Sequence, residues 1–293
     1  MIECSIVIPT YFPGKIIEKL LGSLPQVREI YVFDNSNDEE LKLLIENKFT
    51  NIKYISTGDI GLGKTFNKAL NMINSELIFI TQPDVKLYKN CIENLITAKK
   101  KYKDAAILAP LMFENDKYSI YDNYRFNLDK NKKGMNIVPS GDFCVEAINS
   151  TAFMLDKRMI LEIGGWDDYF YTYLEDIDLC YRLKKKKYGI LKIKESKVNH
   201  VGFKSHKPSI HNYIDKKRIF NFNKSSLYYN YKHKSKSFFY YYTIKNVLKF
   251  CSKLLVNIIL FRKKKILQNF IKLKSYYYFF LYDEYGKKNI QMK

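Results

Sequence analysis

Residues 4–35, CSIVIPTYFPGKIIEKLLGSLPQVREIYVFDN, decide the fold of this protein. The segment contains two short apolar runs with β-branched residues, CSIVIPT and REIYVFDN, and a helical pattern that begins at about Lys15. Runs of this length on either side of a helix predict a strand–helix–strand unit, in which the two strands are parallel.

The same alternation continues further along the chain. A helical pattern around EELKLLIENK is followed by NIKYIST, by a second helical pattern around TFNKALNMI, and by ELIFITQPD. We therefore predict an α/β fold with a mostly parallel, Rossmann-like sheet flanked by helices. Ligands of such folds bind at the carboxyl ends of the strands, so PTY, DNSND, GLG and QPD are expected to converge on one crevice.

One stretch favours a different class of protein. Residues 58–65, GDIGLGKT, fit the phosphate-binding pattern G-x-x-x-x-G-K-[ST], in which Lys64 would reach the phosphates and Thr65 would hold magnesium. In that alternative the chain is a P-loop nucleotide hydrolase, and Asp84 serves as its second metal-binding acid.

The net charge of +20 is unevenly distributed. Residues 1–100 contain 12 basic and 12 acidic side chains, whereas residues 206–293 contain 20 and 3. The body is near neutral, and the basic tail suits an anionic partner such as a membrane surface or a nucleic acid. Five scattered cysteines without a C-x-x-C pair favour a reducing cytoplasm, and the N-terminus shows no signal-peptide pattern.

Six short motifs occur in the order IVIPTY, VFDNSND, GLGKTFN, LIFITQPDV, GGWDDYFYTYLEDIDLCYRL and VNHVG. Together they resemble the family-2 glycosyltransferases of GT-A fold from bacterial polysaccharide assembly, of a rhamnosyltransferase-like type. The resemblance covers about residues 3–205. It implies a glycosyltransferase domain over residues 1–205 and makes the P-loop match accidental, because family members vary at Lys64 and Thr65.

The resemblance also implies a set of nucleotide-sugar-binding residues. Asp34 would accept a hydrogen bond from the imide N–H of uracil or thymine, although an aspartate there also suits a turn that caps the next helix. The remaining residues implied for the nucleotide-sugar are Pro9, Thr10, Tyr11, Asn35, Gly61, Gly63 and Asn67.

Asp84 follows the strand LIFIT, where the family places its metal-binding D-x-D motif. Gln82 stands at the first carboxylate position, which is a departure from that motif. His200, in VNHVG, matches the histidine that completes the metal site in many members. The implied cofactor is Mg²⁺ or Mn²⁺, held by few protein ligands and by phosphate oxygens.

The segment YLEDIDLCYRL contains the implied catalytic residue. Asp176 would take the proton of the acceptor hydroxyl, and an exposed aspartate with a pKa of about 4 is ionised at neutral pH. Locally, Glu175 and Asp176 also suit the first turn of a helix, and Asp178 with Arg182 has the spacing of a helical ion pair. Displacement with one base implies inversion at the anomeric carbon.

Acceptor or sugar contacts are expected from Glu175 and from two residues of GGWDDYFY. Gly164 and Gly165 allow a tight turn there, and Trp166 is available either to stack on a sugar face or to fill the core beneath the loop. Asp167 is expected to bind a hydroxyl of the acceptor or the donor.

Residues 206–293 form a basic, aromatic-rich helical tail. Its lysines exclude a simple membrane span, and one helical face of residues 243–261 is apolar while Lys245, Lys249 and Lys253 lie opposite. The apolar residues are Ile244, Val247, Leu248, Cys251, Leu254, Leu255 and Ile258. This pattern favours a helix in the plane of an anionic membrane, and the alternative is a helix docked on the catalytic domain.

The sequence therefore predicts an inverting glycosyltransferase that transfers a sugar from a UDP- or dTDP-sugar to a lipid-linked or surface-polysaccharide hydroxyl. We expect it in the cytoplasm, peripheral on the inner face of the cell membrane, with no nucleic-acid partner. The alternatives are the P-loop hydrolase and a non-catalytic protein that binds nucleic acid or membrane through its tail. No RNA-binding motif accompanies the tail.

Overall fold

The computed structural model describes residues 2–114, 117–119, 138–201 and 206–282. The chain divides into two compact units. The first consists of Met1–Tyr169 and Glu175–Pro208, and the second consists of Phe170–Leu174 and Ser209–Lys293.

The strands of the first unit belong to one mixed sheet. They are β1 (Ile2–Thr10), β2 (Val27–Asp34), β3 (Ile52–Ser56), β4 (Leu77–Thr81), β5 (Val85–Leu87), β6 (Ala105–Glu114), β7 (Lys117–Tyr118), β8 (Phe143–Cys144), β9 (Ala152–Asp156) and β10 (Gly189–His200).

The helices divide between the two units. The first unit contains α1 (Ile16–Leu21), α2 (Glu39–Lys48), α3 (Leu62–Met72), α4 (Cys91–Lys101), α5 (Lys157–Glu162) and α6 (Glu175–Lys185). The second contains α7 (His211–His233), α8 (Lys236–Ile259) and α9 (Lys263–Tyr282).

The sheet order is β3-β2-β1-β4-β9-β6-β10-β5, with β7 paired to β6 and β8 paired to β10. The predicted parallel arrangement is confirmed for β1 to β4, where β1 pairs in parallel with both β2 and β4. Beyond β4 the sheet is mixed, because β9 is antiparallel to both β4 and β6. The α/β class is therefore correct. The sheet is parallel throughout only from β1 to β4, and β6 and β10 form one further parallel pair.

Burial explains why the N-terminal strands have continuous apolar runs. Ile6, Val7 and Ile8 of β1 are fully buried, as a strand covered on both faces requires. Helices α2 and α5 begin at side-chain caps: Asp38 accepts a hydrogen bond from Glu40 N at 3.2 Å before α2. Asp156 accepts one from Met159 N at 3.2 Å before α5.

The second unit is built from three long helices with aromatic contacts between them. Phe239 and Phe250 of α8 are buried and lie against rings of α9, with Phe250 at 5.7 Å from Tyr276 and Phe239 at 6.2 Å from Phe279. The segment Phe170–Leu174 packs with these helices, where Ser225 Oγ donates to the Thr172 carbonyl at 3.0 Å.

Helix α8 does not use its predicted apolar face to pack in this unit. Its buried residues are Phe239, Thr243, Phe250 and Asn257. Most of the predicted face is exposed, namely Ile244, Leu248, Cys251, Leu255 and Ile258, whereas Val247 and Leu254 are half-buried. Within the described part of the chain, no helix has the length and apolar character needed to cross a membrane.

Strand β10 contains a buried lysine that its sequence did not indicate. Lys192 is nearly inaccessible, and its Nζ donates to the Pro110 carbonyl at 2.9 Å. Burial lowers the pKa of Lys192 from 10.5 to about 7. The folded protein therefore disfavours the charged form of this side chain.

We expect Lys192→Met to raise the free energy of unfolding relative to wild type, most at pH 6 and progressively less towards pH 10. Between pH 7 and 10.5 the unfolded chain binds a proton that the folded chain does not, so wild-type stability should rise with pH in this window. Denaturant titrations at pH 6, 8 and 9.5 measure the difference. Lys194→Met, two residues along, controls for the loss of one positive charge, and a difference that does not change with pH would contradict the prediction.

Candidate active site

The carboxyl end of β2 is organised by Asp34. This carboxylate is fully buried and accepts hydrogen bonds from five donors. Its Oδ1 accepts from Ser36 N at 2.9 Å, from Ser36 Oγ and from Thr10 Oγ1 at 3.3 Å. Its Oδ2 accepts from Asp38 N at 2.7 Å and Tyr54 Oη at 2.8 Å. Asp34 thus holds the loop together, and its direct contact with a base stays a prediction.

The neighbouring predicted residues lie at the same edge. Asn35 N donates to the Thr10 carbonyl at 2.9 Å, and the two residues are buried. Pro9 is also buried, whereas Tyr11 is half-exposed and places its ring 6.1 Å from that of His206. Sequence reasoning missed His206, whose Nδ1 lies 2.6 Å from the Tyr11 carbonyl, because 195 residues separate the two.

The P-loop-like stretch forms the start of α3. Gly61 has φ of +84° and directly precedes the helix, which explains the need for glycine there. Gly63 is buried within the first turn, and Lys64 is exposed. Thr65 Oγ1 lies 2.7 Å from the Gly61 carbonyl and 2.9 Å from Asn35 Oδ1, so this hydroxyl is used inside the fold. The geometry supports a helix start and gives no support to a magnesium-binding threonine.

Asn67 of α3 binds the loop that contains Trp166. Its Oδ1 accepts from Trp166 N at 2.9 Å, and its Nδ2 donates to the Trp166 carbonyl at 2.9 Å and to Asp168 Oδ1 at 2.7 Å. The indole of Trp166 is buried at 4.9 Å from the Phe66 ring, which is the core-filling alternative of the sequence analysis. Asn67 and Trp166 therefore shape this loop, and Asp167 beside them is half-buried and accepts from Tyr169 N at 2.9 Å.

Asp84 and His200 lie side by side. Asp84 is buried after β4, His200 ends β10, and β10 pairs antiparallel with β5 so that His200 lies opposite Val85. His200 Nε2 is 3.4 Å from Asp84 Oδ2. Two ligands of one cation at about 2.1 Å each are separated by roughly 3 Å, so this pair fits the predicted divalent metal with one oxygen and one nitrogen ligand.

The surroundings of this pair contain a second carboxylate. Glu114 Oε1 lies 3.9 Å from His200 Nδ1, on the far side of the imidazole. No cluster of three or more His, Cys, Asp or Glu side chains suited to hold a metal occurs among the residues that the structure describes. A metal at Asp84 and His200 would therefore complete its coordination with phosphate and water oxygens.

The predicted base, Asp176, is in the first turn of α6. Its Oδ2 accepts from Ser150 N at 3.0 Å and its Oδ1 from Ile177 N at 2.8 Å. Burial raises the pKa of Asp176 to about 6, well above the ordinary value assumed from the sequence. Glu175 is buried, and burial followed by the charge of Asp176 raises its pKa as well. Asp176 is only partly buried, whereas Glu175 is fully buried, so Asp176 is the member of the pair that a substrate could reach.

Ser150 joins Asp176 to the turn that contains Gln82 and Asp84. The amide of Ser150 donates to Asp176, and its carbonyl accepts from Gln82 Nε2 at 3.3 Å. Gln82, which stands where the family has a carboxylate, is thus a structural link between the two predicted parts of the site. Sequence reasoning missed Ser150, because nothing in the local sequence AINSTAF indicates its contacts. Its backbone binds Gln82, 68 residues away, and Asp176, 26 residues away.

One further prediction concerns α6, and the residues directly before that helix have an unusual backbone. The Asp178–Arg182 ion pair is confirmed at 2.8 Å, and Arg182 Nη1 also donates to the Ile163 carbonyl at 2.9 Å. Tyr173 and Leu174, directly before Glu175, both have left-handed backbone with φ of +68° and +65°. Such strain in non-glycine residues is costly and is typical of functional sites.

Comparisons with known proteins identify the family of the chain. Residues 5–162 match the sequence model of glycosyl transferase family 2. The chain is 22% identical over 230 residues to the N-acetylglucosaminyl-diphospho-decaprenol L-rhamnosyltransferase of Mycobacterium tuberculosis. The aligned region covers 67% of this chain and 75% of that protein.

Two solved structures resemble the fold at 15% sequence identity. The crystal structure of GalNAc-T7 with UDP, GalNAc and Mn²⁺ has a TM-score of 0.55. The superposed region covers 82% of this chain and 56% of the GalNAc-T7 chain. The structure of Staphylococcus aureus TarS residues 1–349 has a TM-score of 0.52 and covers 100% of this chain and 92% of that one.

The family model covers more than half of the chain and extends from β1 to α5, the region that contains the Asp34 loop, the α3 turn and Asp84. The chain therefore belongs to glycosyl transferase family 2 and is a glycosyltransferase with the mixed α/β architecture of GT-A enzymes.

Proposed function

We propose that this enzyme transfers a sugar with inversion from a UDP- or dTDP-sugar to a hydroxyl of a lipid-linked or surface-polysaccharide acceptor. The observation that carries the proposal is the link through Ser150 between the Asp176 carboxylate and the turn that precedes Asp84. This link supports a role for Asp176 as the general base beside Asp84, where the donor diphosphate would bind. The mycobacterial relative, whose name describes a lipid-linked diphosphate acceptor, and the UDP of GalNAc-T7 support the substrate classes.

In the proposed reaction the acceptor oxygen attacks the anomeric carbon of the donor while the bond from that carbon to the diphosphate oxygen breaks. Asp176 removes the hydroxyl proton, so the new glycosidic bond forms as the nucleoside diphosphate leaves. A base whose pKa is about 6 is mostly ionised at neutral pH and is more basic than an exposed aspartate. The fixed orientation of its carboxylate by two backbone amides favours this role.

The donor would lie across the carboxyl ends of β1, β2 and β4. The Asp34 loop and residues Pro9 to Tyr11 would form the base pocket, with Asn35, Gly61 and Gly63 beside it. Asp84 and His200 would hold Mg²⁺ or Mn²⁺, which when bound neutralises charge on the diphosphate. Asp167 and Glu175 would contact the sugar or the acceptor, while Asn67 and Trp166 would hold the loop that contains Asp167.

We further propose that the second unit associates reversibly with the inner face of the cell membrane. Residues 209–282 contain 16 Lys and Arg side chains and a single acidic residue, Asp215. The exposed apolar stripe of α8 lies on the same helix as Lys245, Lys249 and Lys253. Each basic residue near an anionic surface contributes about 1 kcal/mol, and buried apolar side chains add to this. Such a location suits an enzyme with a lipid-linked acceptor.

The catalytic assignment predicts that Asp176→Asn binds the donor as wild type does but loses transfer by a factor of roughly 10²–10⁴, because the base is removed while the pocket shape is kept. A thermal-shift screen of UDP- and dTDP-sugars with Mn²⁺ identifies the donor. Transfer is then measured on polyprenyl-diphosphate-linked N-acetylglucosamine as a first acceptor. In wild type kcat/KM should fall as the pH decreases through about 6, since Asp176 becomes protonated. Wild-type turnover of the variant would rule out Asp176 as the base.

The metal assignment predicts that Asp84→Ala weakens Mn²⁺-dependent binding of UDP or dTDP. The loss of even an outer partner of a metal typically costs about 10–100-fold in affinity, so a directly ligating carboxylate should cost at least as much. Calorimetric titrations of the nucleotide with and without Mn²⁺ separate the metal-dependent part. Lys64→Ala is the control variant. Because Lys64 is exposed on α3, its replacement should leave nucleotide affinity nearly unchanged, whereas the P-loop alternative predicts a loss. Equal metal-dependent affinity in wild type and Asp84→Ala would place the metal elsewhere.

The membrane proposal predicts that the full chain sediments with anionic vesicles more than with neutral ones, and that high salt reduces this binding without abolishing it. Replacing Leu248 and Leu255 of the exposed stripe by serine should remove much of the salt-resistant part, since the transfer of apolar surface from water is lost. Leu43→Ser, at an exposed leucine of α2, is the matched control. Equal sedimentation of all three proteins would show that the stripe does not contact lipid.

A further inference from the structure

The turn between α8 and α9 has an unusual residue at its centre. Phe261 has φ of +50°, in the left-handed region. Phe261 N donates to the Ile258 carbonyl at 3.0 Å, and Arg262 N donates to the Asn257 carbonyl at 2.9 Å. These two hydrogen bonds define a Schellman motif, in which the left-handed position is usually glycine because a side chain there is strained.

The side chain of Phe261 has no packing that offsets the strain of its left-handed backbone. Its side chain is 87% exposed, the most exposed of the large apolar residues in the described part of the chain. A buried ring could offset the strain of a left-handed backbone through packing, but a ring in water cannot. Strain that the folded chain does not offset is a basis for inferring function.

The residues on both sides of Phe261 form a two-part surface. Ile258, Ile259 and Leu260 are 49%, 73% and 49% exposed, so four consecutive apolar side chains project at the end of the α8–α9 hairpin. The next four residues, Arg262–Lys265, are all basic and exposed. No acidic residue occurs in the sequence between Asp215 and Asp283. We refer to residues 258–265 as the hairpin tip.

We propose that the hairpin tip inserts into the headgroup region of an anionic bilayer, with the Phe261 ring at the acyl boundary and Arg262–Lys265 among lipid phosphates. This inference rests on the membrane association proposed above and names the surface that starts it. Long basic side chains keep their charged ends at the interface while neighbouring apolar residues enter the bilayer.

A lipid surface fits the tip better than a folded protein does. The apolar residues project from the end of a hairpin, and a bilayer accepts such a protrusion without a preformed pocket. Four adjacent cations match a continuous anionic surface by charge. The removal of Phe261 from water would also offset the strain at this position, which gives a physical reason for an aromatic residue where glycine is usual.

The decisive variant is Phe261→Gly, because it should change stability and binding in opposite directions. Glycine suits the left-handed position, so the melting temperature should rise or stay the same. The affinity for vesicles of phosphatidylglycerol and phosphatidylcholine should fall roughly tenfold, as expected for the loss of a buried phenyl ring. Unchanged vesicle affinity of this stably folded variant would overturn the proposal.

Two further proteins test the location. Tyr241→Ala removes an aromatic side chain that is 60% exposed near the other end of α8, about 30 Å along the helix from Phe261. It should bind vesicles as wild type does, and a loss equal to that of Phe261→Gly would assign binding to the whole helix. Phe261→Trp should shift its emission to shorter wavelength with anionic vesicles, whereas wild type, with only the buried Trp166, should not.

The outcomes separate the two proposals. If wild type does not bind anionic vesicles, both the membrane association and the tip are wrong. If wild type binds and Phe261→Gly binds equally well, the association stands and the tip is wrong. Loss of binding in Phe261→Gly together with wild-type binding by Tyr241→Ala supports the tip as the point of insertion.

Discussion

The buried carboxylate of Asp34 is the constraint on which the carboxyl ends of β1, β2 and β3 depend. A charge that is removed from water is tolerated only when donors surround it, and Asp34 has five. These donors come from β1, β3 and the loop before α2. Asp34 itself ends β2, so this one side chain connects three neighbouring strands and the start of α2. The turn into α3 is joined to the same edge, because Thr65 contacts Asn35. The strand ends therefore form one rigid surface.

A second link extends this surface towards the proposed catalytic group. Ser150 contacts Gln82 with its carbonyl and Asp176 with its amide, although the three residues come from distant parts of the sequence. Gln82 stands where the family resemblance implies a carboxylate, and here its side chain donates a hydrogen bond to the Ser150 carbonyl. The proposed metal ligand, Asp84, and the proposed base, Asp176, lie on the two sides of that link.

The two units differ in which side chains they bury and which they expose. The first buries continuous apolar strands and surrounds some of its buried charged side chains with hydrogen bonds or ion pairs, as at Asp34 and at the Asp178–Arg182 pair. The second buries aromatic contacts between its helices and exposes apolar side chains on a segment, residues 209–282, that has 16 Lys and Arg and a single acidic residue. Such a surface is unfavourable in water alone, which is the physical argument for an anionic lipid partner.

The sequence by itself determined the features that depend on near neighbours: the order of β1 to β4, the polar residues at their ends, the Asp178–Arg182 pair and the concentration of charge in the tail. Hydrophobic period and residue spacing are sufficient for these. Tertiary structure alone decided the five hydrogen bonds of Asp34, the burial of Trp166 and Lys192, the raised pKa of Asp176 and the mixed strand directions beyond β4. Each depends on a partner or on burial by segments far along the chain, and local patterns contain no information about which distant groups will surround a side chain.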